Sequence, residues 1–138
     1  MRFVDTNVLL YAVSPAAQEA PKRRIALTIL RDTDLCLSVQ VLQEFFTQAT
    51  RTTRTGRLTH DEAASLVASW QRFPVLDLSM RVVELAIMAS QRFQISYWDA
   101  AIVAAARAAG ATTILTEDLQ HGQNFDGVRV SNPFLDVG

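Results

Sequence analysis

A single cysteine, two histidines and no apolar run long enough to cross a bilayer narrow the reading of this 138-residue chain before any motif is considered. One cysteine makes no internal disulfide, and Cys36 stands between Leu35 and Leu37, where it reads as a small buried apolar side chain. A reducing, cytoplasmic setting fits. His60 and His121 lie in polar stretches without a metal-ligand spacing, which argues against a zinc site. No segment approaches the roughly 20 apolar residues of a spanning helix. Val8 to Val13 followed by Ser14-Pro15-Ala16-Ala17 has the outline of a signal-peptide cleavage region, but Asp5 and Asn7 argue against it. A soluble protein with no membrane partner is expected. Repeats, linkers and low-complexity tracts are also missing, so one domain over residues 1–138 is expected, large enough to need neither disulfide nor structural metal.

The charge balance, 13 Lys and Arg against 14 Asp and Glu, favours no partner class by itself. Its distribution says more. Four acids stand where a charge is locally out of character: Asp5, Glu44, Asp99 and Asp118. Asp5 ends a short apolar strand, Arg2-Phe3-Val4, at the point where it gives way to a loop. Asp99 is the only charged residue between Arg92 and Arg107, one turn into an alanine-rich helix that is apolar on nearly every side and therefore reads as buried. A lone ionised carboxylate is seldom buried without a cationic partner. If a metal consumes these four of the 14 acids, 10 remain against 13 basic residues. The clusters Lys22, Arg23, Arg24 and Arg51, Arg54, Arg57 can then neutralise phosphates, although each alone reads as a solvated helix face.

Apolar strand segments near residues 2–5, 34–38, 75–77, 112–116 and 128–131 alternate with helical periodicity at about 15–31, 39–53, 60–71, 80–93 and 97–109. That alternation predicts an α/β fold in three layers, a parallel five-stranded sheet flanked by helices. Thr59-His60-Asp61-Glu62 has the form of a capping box, Ser38 and Ser79 are candidate N-caps, and Gly110 can end the alanine-rich helix. Ligands of open parallel sheets gather beyond the carboxyl ends of the strands. That rule brings Asp5 and Asp118 together from two strand ends, with Asp99 and Glu44 arriving on helices.

Each acid also has a local explanation. Asp5 can close an Asx-turn, Asp99 can complete a capping box with Ser96, Asp118 can cap a turn at Leu119-Gln120, and Glu44 can be a solvated helix residue. Glu117 competes with Asp118 for the fourth position. Asp77, after Pro74-Val75-Leu76, is the main decoy, and Trp98 reads as core packing rather than a stacking platform. Oxygen-only donors favour Mg²⁺ or Mn²⁺. Crowded carboxylates raise each other's pKa values, so activity is expected to rise from acid towards neutral pH.

The segments Val4-Asp5-Thr6-Asn7-Val8-Leu9-Leu10, Leu37 to Phe45, Tyr97 to Ala106 and Leu115-Thr116-Glu117-Asp118 resemble the PIN-domain ribonucleases, and among them the VapC-type toxins of toxin–antitoxin pairs. The resemblance spans nearly the whole chain in order. It implies a metal-dependent endoribonuclease acting on an RNA substrate, with Asp5, Glu44, Asp99 and Asp118 in the acidic positions and Asp5, Asp99 and Asp118 on the metal. Thr6, Asn7, Ser38 and Thr116 become polar support, and a homodimer and a cognate antitoxin protein are implied. Two other classes stay open: a non-catalytic RNA- or protein-binding module whose acids only cap helices, and a haloacid-dehalogenase-type phosphatase. The phosphatase wants an acid where Asn7 stands and a lysine at a suitable later strand, where the sequence has none.

Overall fold

The computed structural model describes residues 1–137. Strand β1 (Arg2–Val4) is followed by helix α1 (Thr6–Ala12), a 3-10 turn at Ala17–Glu19 and α2 (Ala20–Ile29). Then come β2 (Leu35–Ser38), α3 (Val39–Ala49), α4 (His60–Trp70), β3 (Val75–Leu76), α5 (Met80–Phe93), α6 (Tyr97–Ala108), β4 (Thr113–Leu115), β5 (Asn124–Phe125) and β6 (Val128–Ser131). The sheet order is β3-β2-β1-β4-β6-β5. The five strands expected from sequence pair in parallel. A sixth, the two-residue β5, adds an antiparallel edge to β6 through a turn at Asp126-Gly127, both at positive φ. Asp-Gly suits such a tight hairpin because both central residues adopt left-handed backbone.

The chain runs outward from β1 through β2 to β3, then returns to the other side of β1 for β4. Right-handed crossovers therefore put α1 to α4 on one face of the sheet and α5 and α6 on the other. Helix α6 has seven consecutive buried residues, Ala100 to Ala106. It packs against β2, β4 and β6, with α5 against its outer side. The alanines let this helix approach the sheet closely; a continuous apolar surface is what a helix between sheet and helix requires. Phe3, Val4, Leu35, Leu37, Ile114 and Val130 fill the sheet's contribution to the core.

The segment after Asp5 is a helix and not a loop. Asp5 caps it, accepting a hydrogen bond from the Thr6 amide at 2.7 Å, and Thr6, Val8, Leu9 and Ala12 form its buried stripe. Strand β1 thus runs into α1 with one residue between them, and that residue carries the first candidate acid. The expected cap at Thr59 is present as a full capping box with Glu62, and Ser38, Ser79 and Ser96 cap α3, α5 and α6.

Candidate active site: an acidic cleft at the sheet's switch point

Strands β1 and β4 lie side by side with Val4 opposite Leu115, so the residues just beyond them, Asp5 and Thr116, emerge together at the carboxyl edge. The chain reverses direction across the sheet at this pair, the position at which open parallel sheets form a crevice. A cleft of about 140 Å³ opens there, lined by Asp5, Glu44, Asp99 and Asp118. Thr6, Asn7, Leu10, Gln48, Trp98 and Ile102 complete its walls. Four acids separated by up to 113 positions in sequence therefore share one hollow.

A hydrogen-bond frame sets the orientation of Asp5, Glu44 and Asp118. The Thr116 hydroxyl donates to Asp5 Oδ2 at 2.8 Å and accepts from the Asn7 amide at 2.9 Å and the Asp118 backbone N–H at 3.0 Å. Asn7 Nδ2 also reaches Asp118 Oδ2 at 3.1 Å. On the far wall the Thr6 hydroxyl donates to one Glu44 oxygen at 2.9 Å and the Gln40 amide to the other at 3.0 Å. Thr6, Asn7 and Thr116 thus tie acids from separate elements into one frame.

Asp5 is 7% exposed, and its pKa is pushed from 3.8 to about 6. Burial is the main cause. The hydrogen bonds from Thr116 and Thr6 pull the value down, and the negative charges of Asp118 and Glu44 push it up. A buried carboxylate held among two others creates demand for positive charge in the cleft.

Several expectations need revision at this level of detail. Ser38 does not line the cleft; its hydroxyl accepts from the Val41 amide at 3.3 Å and caps α3, so it positions the helix that carries Glu44 without touching the acids. Ser96 accepts from the Asp99 amide at 3.1 Å, yet the return bond of a capping box is not formed among the described residues, which leaves the Asp99 carboxylate facing the cleft. No helical turn follows Asp118. Glu117 turns away from the cleft and is held by the Tyr11 hydroxyl and by Lys22 Nζ at 3.1 Å. That ammonium sits 4.8 Å from the Tyr11 ring centroid, and its bonds to Tyr11 and Glu117 raise its pKa. Lys22 is therefore occupied within the fold, while its neighbours Arg23 and Arg24 remain exposed. Asp77 lies outside the cleft. Trp98, read from sequence as core, is 67% exposed and forms part of the cleft wall. Gln40 was missed altogether; its position four residues before Glu44 on one helix face was the available signal.

The donors fit a hard divalent cation. They are all oxygen; Cys36 is buried in β2, and His121 Nδ1 is occupied by the Asn132 amide at 3.0 Å. Among the described residues no three acids are drawn together as a ready-made ion cage. An open cleft with oxygen donors on several walls suits Mg²⁺, which keeps several waters and shares its coordination with substrate phosphate.

An α/β protein with an oxygen-only acidic cleft at the switch point of a parallel sheet is the class this fold and cleft define. Within that class, the chain belongs to the PIN domain family, whose model matches residues 2–124. No curated protein sequence matches it. Among solved structures it is similar to a toxin–antitoxin complex from Klebsiella pneumoniae, with a TM-score of 0.71 and 18% identity over 96% of this chain and 98% of that one. It is also similar to VapC20 of Mycobacterium tuberculosis, described as a Sarcin-Ricin loop cleaving toxin, at 0.64 and 21% over 86% and 90%. DNA-bound VapBC from Salmonella typhimurium matches at 0.65 and 17% over 96% and 97%. At these identities the likeness is one of fold. No helix among the described residues is long and apolar enough to cross a membrane.

Proposed function

We propose that this chain is a Mg²⁺- or Mn²⁺-dependent endoribonuclease, the toxin of a type II toxin–antitoxin pair, working in the cytoplasm as a homodimer with an antitoxin protein as partner. The observation that carries the reading is the convergence of Asp5, Glu44, Asp99 and Asp118 on one cleft. Membership of the PIN domain family and the likeness to toxin–antitoxin structures support it.

In this reading Asp5, Asp99 and Asp118 hold the cation. When bound, the cation polarises the phosphodiester and lowers the pKa of a nucleophilic water. The remaining work falls to the chain's own residues. Asp5 fixes the floor of the site, since its two oxygens are already oriented by Thr6 and Thr116. Asn7 and Thr116 hold Asp118 and Asp5 at a fixed separation, so the site is organised before substrate arrives. Glu44, oriented by Thr6 and Gln40, completes the cleft by coordination or by orienting the attacking water.

Helix capping accounts for Asp5 but leaves Asp99 and Asp118 without a role, which disfavours the binding-module alternative. The phosphatase alternative fares worse: Asn7 is engaged as a hydrogen-bond donor to Thr116 and Asp118, where that chemistry needs a second acid. The test is RNA cleavage by wild type, Asp5→Asn and Asp99→Asn with Mn²⁺ and with EDTA, each variant checked for folding. Metal-dependent cutting lost in both folded variants supports the nuclease. Equal cutting by the variants, or none by wild type under any metal condition, leaves the module.

A further inference from the structure

We propose that Trp98 is a stacking platform for an unpaired RNA base beside the scissile phosphate. The inference rests on the ribonuclease reading and adds a substrate-positioning residue to that same site.

Three observations meet at this residue. Trp98 is 67% exposed although an indole is among the largest apolar side chains a fold can bury. Its intramolecular aromatic partner, Tyr97, meets it edge to face with ring centroids 5.0 Å apart, a contact that holds the ring in place without covering it. Among the exposed large apolar side chains of the described residues, Trp98 is the one that lines the acidic cleft, immediately before Asp99 in the first turn of α6. Leu10 and Ile102, one turn further along α6, continue an apolar wall beside it.

The cleft thus has two chemical halves. One is a set of carboxylates suited to the cation and phosphate, the other an apolar wall ending in an open indole. A nucleotide has the same division, an anionic phosphate and an aromatic base. A base in a duplex is already stacked on both faces and presents only its edge, whereas an unpaired base offers a face to an aromatic side chain. Stacking of this kind tolerates any base, because each has a π-face. The indole therefore selects for strand state and not for sequence.

The test measures KM and kcat for wild type, Trp98→Ala and Trp98→Phe in Mn²⁺ on a short single-stranded oligoribonucleotide and on copies carrying one abasic position each. Stacking losses on alanine substitution predict a KM roughly tenfold higher for Trp98→Ala, with Trp98→Phe within about threefold of wild type. One abasic position is expected to bring wild type to the same KM and to have no further effect on Trp98→Ala. Indole emission is expected to be quenched on titration with the single strand and unchanged by its duplex. Wild type that cuts the oligonucleotide while folded Trp98→Ala cuts it with the same KM overturns the proposal and assigns the exposed indole to a protein partner. Wild type that cuts no RNA overturns the ribonuclease reading, and the proposal with it.

Discussion

Replacing Asp5 by asparagine isolates the cost of burying this carboxylate beside two others. In the folded chain Asp5 titrates at about 6 against 3.8 for an ordinary aspartate, a gap of about 2 units, or about 3 kcal/mol at 1.36 kcal/mol per unit. The sign follows from proton binding. Between those two values the folded state holds a proton that the unfolded state has released, so stability falls as pH rises. The stabilisation is fully present below about 3.8 and lost as pH climbs through 6. Metal-free wild type should therefore lose about 2.5 kcal/mol from this residue between pH 4 and pH 7.5, the rest being lost already below pH 4, whereas Asp5→Asn has no proton to lose. The asparagine keeps an oxygen for the Thr6 amide and so keeps the α1 cap. Urea unfolding of both proteins in EDTA across that range, followed by the emission of buried Trp70, gives the difference in stability at each pH. Carboxylates remote from the cleft are common to both proteins and cancel, while Asp118 and Glu44, which feel the Asp5 charge, add to the same difference. A saturating cation restores the loss at neutral pH in wild type, about 2.7 kcal/mol at one hundred times its dissociation constant. A wild-type-minus-variant difference that stays flat within about 0.5 kcal/mol would refute the placement of a buried carboxylate among like charges.

Thr116→Val removes the hydroxyl that links Asp5, Asn7 and Asp118. It is expected to lower metal affinity or cleavage about 10- to 100-fold, as loss of a partner behind a metal ligand typically does. It also moves the acidic limb of the pH–rate profile upward, because Asp5 loses a bond that favours its ionised form; an unmoved limb would place the hydroxyl outside the site. Glu117→Gln and Asp118→Asn separate the two adjacent acids. Glu117 is engaged by Tyr11 and Lys22, away from the cleft, so its variant should cut RNA at near the wild-type rate, while Asp118→Asn loses metal-dependent cleavage. The reverse ranking in a cleavage assay would exchange their roles.

The strand positions were readable because a parallel sheet buried on both faces demands apolar runs with helices between them, and all five appear where the pattern places them. Helix α1 was missed because seven residues are too few to display a period. Its signal was the cap, an acid directly before Thr6-Asn7-Val8-Leu9. Strand β5 was missed because two residues carry no alternation and are held by the Asp126-Gly127 turn, a signal that lay in the sequence unused.

Of the candidate site, the sequence by itself determined which acids stand out, since a charge in an apolar surrounding is a local property: Asp99 in its alanine helix and Asp5 at the end of β1. It also determined that strand ends would gather them, since topology follows from element order. Which neighbour turns inward was decided only by the tertiary structure. Glu117 and Asp118 are chemically alike and adjacent, and the choice between them rests on Lys22 and Tyr11, about 100 positions away. Trp98 is equally apolar whether buried or exposed, and only the packing of α6 against the sheet and α5 leaves its indole on the cleft wall. Local pattern fixes a residue's chemistry, but its direction depends on long-range contacts that no window of sequence contains.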